Sequence, residues 1–130
     1  MEKNEAFEIY DALANREIRS QNPIEVKVRS GIQEMFGAMF RVYWQRCFEG
    51  KLQQQIPKPE TKHEMEALTL LLRSFTNERA CEWREILDKC HRFGRDEDAQ
   101  KEEWKLDHLQ ILTRVFNELV GKKHGYRINI

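Results

Sequence analysis

With 130 residues, 40% of them apolar and 34% charged, the chain is long enough to bury a real core and too apolar to be a disordered polyelectrolyte. Lysine plus arginine equals aspartate plus glutamate, 22 of each, and the signs are evenly spread: eight of each over 1–56, seven of each over 57–93 and seven of each over 94–130. Net charge is therefore excluded as a source of long-range attraction to nucleic acid or to an anionic membrane, which leaves only a local basic patch formed by folding.

Ala6, Phe7, Tyr10, Leu13, Ala14 and Ile18 share one arc and predict a first helix over about 4–19. Ser20-Gln21-Asn22 is a polar break. Asn22 can cap, Pro23 suits a first helical position and Glu25 a first turn, so a second helix is expected over 24–56, stopped by Pro57-Lys58-Pro59. Gly50 offers an earlier stop. A rival reading takes the period-two alternation Ile24-Glu25-Val26-Lys27-Val28-Arg29 as a short strand, with Ser30 opening a later helix.

This second helix carries two apolar faces. One repeats through Val28, Ile32, Met35, Phe36, Met39, Phe40, Tyr43 and Cys47; the other lies roughly opposite and holds Val26, Trp44, Phe48 and Leu52, with Arg41 among them.

Thr61 and Glu64 form a capping box for a third helix. Met65, Leu68, Leu72, Phe75, Ala80, Trp83, Ile86, Leu87 and Cys90 keep one phase, which predicts a single helix over 62–93 that ends at Gly94. Asp96 or Asp98 is expected to cap a fourth helix, with Trp104, His108, Ile111, Leu112, Val115, Phe116 and Leu119 on its buried arc up to Gly121. The tail 121–130 is basic and alternates at Tyr126, Ile128 and Ile130, so it predicts a docking arm or a short strand, the latter paired with 24–29 if that segment is extended.

The expected fold class is all-α: one helical domain over 1–130, built as a four-helix bundle or irregular helical domain on a long antiparallel hairpin of the second and third helices. The hairpin would be about 45–50 Å long at ~1.5 Å per residue. A short terminal strand pair is the variant.

The first residues, Met1-Glu2-Lys3-Asn4-Glu5, place acids where a secretory signal has a basic start and an apolar run. The apolar run Leu68-Thr69-Leu70-Leu71-Leu72 is too short to span a bilayer. Three cysteines, Cys47, Cys81 and Cys90, form no paired framework and suit a reducing compartment, so a cytoplasmic protein is expected, with the nucleus as alternative.

A surface helix needs one apolar stripe. A helix with two is either buried on both sides or binds a partner. Arg41, Trp44 and Phe48 are three and four residues apart on one ridge, and Trp and Arg are enriched at binding hot spots. Burying Trp44 and Phe48 inside the chain would be favourable by ~2–3 kcal/mol each, so a central helix is the competing explanation. Arg41, Trp44, Phe48 and Leu52 are accordingly the expected protein-interaction residues of a non-catalytic adaptor or regulator that forms a homodimer or higher oligomer. The alternative is a small nucleic-acid-binding protein, with Arg41 stacking on bases and Lys122, Lys123 and Arg127 contacting phosphates.

Metal and cofactor chemistry finds no support. Cys81 and Cys90 are nine residues apart and face opposite sides of a helix, His63 lacks a second histidine four residues on, and Asp96-Glu97-Asp98 lacks the glycine and spacing of a calcium loop. His108 reads as a core histidine with its hydrogen bonds satisfied. Arg84 and His91 lie seven apart on one helix face. An arginine followed within two helical turns by a histidine resembles the catalytic motif of HEPN ribonucleases, all-α and often dimeric proteins in which the two side chains act together on the RNA backbone. That resemblance implies RNA cleavage by Arg84 and His91; it covers these two residues, and Glu85 departs from the polar residue the family favours there.

Overall fold

The computed structural model describes residues 5–47 and 62–129, with side chains at 8–41, 66, 68–122 and 125–129. The expected helical stretch 48–56, the proline turn, and the side chains of Trp44, Phe48 and Leu52 fall outside the described residues. Four helices follow in order: α1 (Glu5–Ala14), α2 (Pro23–Cys47), α3 (Lys62–Arg92) and α4 (Asp96–His124). The fold is all-α, and among the described residues there is no strand.

The strand reading of 24–29 is thereby overturned, and its physical reason is the cap. Asn22 Oδ1 accepts the backbone N–H groups of Ile24 at 3.0 Å and Glu25 at 3.4 Å, the Asn22 carbonyl accepts from Val26 at 3.0 Å, and Pro23 brings a preset φ to the first position. A side-chain acceptor placed on those donors starts a helix six residues earlier than the alternation alone suggests.

α1 is shorter than its apolar arc predicts, ending at Ala14 instead of near 19. The side chain of Gln33 on α2 explains the stop. Its Nε2 donates to the carbonyls of both Ala14 and Arg16 at 3.1 Å, oxygens that a continuing helix would offer to N–H groups four residues on.

α3 ends in a Schellman turn. Gly94 sits at φ 67°, the Arg95 N–H reaches the Cys90 carbonyl at 2.8 Å, and the Gly94 N–H reaches that of His91 at 3.3 Å. Arg95 also caps α4, its carbonyl accepting from Ala99 at 2.9 Å. This sharing corrects the expected aspartate cap. With one residue serving both helices, Asp96, Glu97 and Asp98 fall inside the first turn of α4, where their charge meets the positive end of the helix dipole. α4 also runs past Gly121 to His124 and closes at Gly125 (φ 76°), so Lys122 and Lys123 belong to its last turn and the tail begins only afterwards.

One buried cluster draws on every element: Ile9 and Leu13 of α1, Ile32, Phe36 and Phe40 of α2, Leu68, Leu72, Ala80 and Trp83 of α3, Leu109, Leu112, Phe116 and Val120 of α4, and Ile128 of the tail. α2 touches all three other helices, while α3 and α4 share the most extensive contact. Edge-to-face ring pairs join Tyr10 to Phe40 and Phe36 to Phe75. The tail docks as an arm instead of pairing as a strand. Asn117 Nδ2 donates to the Ile128 carbonyl at 2.8 Å while its Oδ1 accepts the Ile128 N–H at 2.7 Å, and Arg73 donates to the Arg127 carbonyl at 2.7 Å. No helix of the described residues is long and apolar enough to cross a membrane.

Candidate functional site

The buried row of α2 is Ile32, Gln33, Phe36, Gly37 and Phe40, which is rotated from the face that hydropathy marks. Met35, expected in the core, is 39% exposed, and Val28 and Met39 are only half-buried. Gly37 faces α1: a Cβ there would lie 3.6 Å from the Tyr10 ring and 3.7 Å from the Ala14 methyl, in ordinary van der Waals contact. The inward turn of Gln33 and Gly37 leaves the opposite edge of α2 outside. Ile24 (53% exposed), Val28, Gly31, Met35 and Ala38 follow one another at alternating spacings of four and three residues on that outer edge. Space beyond Gly31 is open, with nothing within 4 Å of an added Cβ. Arg41 is exposed, its Nε donating to the Gly37 carbonyl at 3.4 Å.

A second locus is a cleft of about 540 Å³ between the α1–α2 connection and α4, lined by Arg16, Arg19, Glu25, Arg29, Asp107 and His108 among others. At its floor His108 is buried, with both ring nitrogens engaged. Arg29 Nη1 lies 3.3 Å from Nδ1, and Gln33 Oε1 lies 2.8 Å from Nε2. A guanidinium can only donate, so Nδ1 is the acceptor and Nε2 carries the hydrogen. Gln33 passes the chain on to the carbonyls of Ala14 and Arg16, and Arg29 is held by Asp107 at 2.9 Å and Glu25 at 3.4 Å. Burial, then the Arg29 charge, hold the His108 pKa down to about 4, with Arg16 adding to the effect and Asp107 opposing it. A neutral imidazole with no free lone pair is an internal strut. It offers neither a base nor a metal ligand to the cleft.

The third locus is an open groove of about 720 Å³ between α4 and the docked arm. It brings together Lys122 and Arg127, both expected as phosphate contacts, with Arg114, which sequence reading missed; among the described residues Glu118 is the one acid on its wall. Arg114 carries no local signal of its own, because the groove exists only once the arm has docked against α4. Arg41 does not line it, and the Lys123 side chain lies outside the described residues.

Arg84 and His91 are both exposed on α3, and the His91 imidazole lies 3.7 Å from a Glu103 oxygen on α4. Among the described residues no group of three or more His, Cys, Asp or Glu side chains could hold a metal ion. No family model, curated protein or solved structure matches the chain. The likeness to HEPN ribonucleases thus stands on Arg84 and His91 alone.

Proposed function

We propose that this protein is a non-catalytic helical adaptor or regulator that acts through protein–protein contacts made by α2. The outer edge of that helix carries the reading. Apolar and small residues recur there at heptad spacing without a covering element among the described residues, the pattern of a seam that receives another helix. The face of Arg41, Trp44, Phe48 and Leu52 expected from sequence would lie roughly a third of a turn around the helix from this edge, and it belongs to the same proposal as a second contact of α2. The fold is read with it as a one-domain irregular four-helix bundle with α2 as hub. Affinity capture from cells expressing the chain tests the proposal. Partners held by the wild type should be lost by the double variant Ile24→Glu, Met35→Glu, with helical circular dichroism unchanged. Identical partner sets would refute it.

A second reading, nucleic-acid binding, is favoured by one observation: Arg114, Lys122 and Arg127 line a single groove. Binding through phosphates weakens steeply with salt, and each lost cation lowers the slope of log affinity against log salt by about one. A mobility-shift assay at about 50 mM salt with mixed DNA and RNA tests it; the absence of any shift removes it.

A further inference from the structure

We infer that the outer edge of α2 pairs with the same edge of a second copy of this chain, antiparallel about a two-fold axis near Ser30. The inference rests on reading α2 as an interaction surface and names the occupant.

Charge identifies it. Lys27 and Glu34 are both exposed, lie on one border of the apolar edge, and have no ion-pair partner among the described residues. Seven residues separate them, a rise of about 10 Å, so they cannot pair within their own helix. An antiparallel two-fold places each helix border against its own copy, and about Ser30 it sets Lys27 opposite Glu34 of the second copy, twice. The same register puts Ile24 opposite Met35 and Val28 opposite Gly31. Large residues thus face small or flexible ones, and the open space beyond Gly31 lets the backbones approach. A parallel pair would instead use the other border, where Ile32 is buried and Glu25 already binds Arg29. With 22 charges of each sign per chain, nothing at long range opposes the meeting of two copies.

The contact covers about three helical turns, roughly 16 Å, which is short for an interface and sets the dimer in the weak, micromolar class. Sedimentation equilibrium from about 5 to 500 µM reads it. Wild type should show a reversible monomer–dimer equilibrium, and Met35→Glu should be monomeric. Lys27→Glu and Glu34→Lys should each weaken self-association about tenfold, because each turns two attractions into two repulsions. An equimolar mixture of these two variants should recover dimer, since every border pair is then opposite in sign. A wild type monomeric throughout would overturn the inference, as would a dimer indifferent to either charge reversal. Retained partner capture that is sensitive to Met35→Glu would in that case leave the broader interaction reading standing with a different occupant.

Discussion

Acidification should unload the strut at His108, and its size can be worked from the geometry. In the folded chain Nδ1 accepts from a guanidinium and the ring is buried, so its pKa stands at about 4 against 6.5 for the free side chain. The unfolded chain binds this proton more readily. The stability contribution is therefore complete above pH 6.5 and is lost as pH falls from there towards the folded value, with no further loss below it. A difference of about 2.5 units at ~1.4 kcal/mol per unit gives about 3 kcal/mol in all, of which about 2 kcal/mol is gone by pH 5. That is a large share of the ~5–15 kcal/mol that holds a typical domain. Urea unfolding at pH 7.5, 6 and 5 measures it, with His108→Gln as control, because glutamine cannot take up the proton while other titrating groups stay the same. Wild type should lose about 2 kcal/mol more than the variant over this range. Parallel pH profiles for the two proteins, or a His108 imidazole titrating near 6.5 by NMR, would refute the assignment.

Replacing Gln33 by leucine should cost about 2–4 kcal/mol, because one amide satisfies the Ala14 and Arg16 carbonyls and the His108 ring at once. Thermal denaturation checks this, and an unchanged midpoint would show that water takes over those bonds. Asn117→Ala should free the arm, at a cost of about 1–3 kcal/mol for two lost hydrogen bonds to Ile128, and the Ile128 amide should then exchange with solvent much faster than in wild type. Unaltered exchange would mean that the buried Ile128 side chain holds the arm without the clasp.

Features set by neighbours in sequence are legible in sequence. Asn22-Pro23, the unbroken phase of α3 from Leu68 to Cys90 and the stop at Gly94 each depend on residues within a turn or two, and each agrees with the structure. Features set by distant groups are not legible. α1 stops where it does because of Gln33, which is buried through its bonds to the Ala14 and Arg16 carbonyls and to His108, while Met35, expected in the core, is 39% exposed. Of the expected functional residues, Lys122 and Arg127 come together through the docking of the arm by Asn117, Arg73 and the buried Ile128, contacts that no periodicity encodes. His108 is recognisable as a core histidine, but its partners on α2 lie 75 and 79 residues away.

The double duty of Arg95 couples two helices that would otherwise fray separately. Its N–H closes the last turn of α3 and its carbonyl opens the first turn of α4, so melting either end withdraws a bond from the other. With three residues, 93–95, between the helices, there is also no slack to absorb a change in length. One inserted residue would turn α4 by ~100° about its axis, carrying Leu109, Leu112 and Phe116 off the core together. The α3–α4 pair consequently behaves as one cooperative unit whose contacts are local in sequence, the part of the chain suited to form early, with α1 and α2 assembling on a platform already in place.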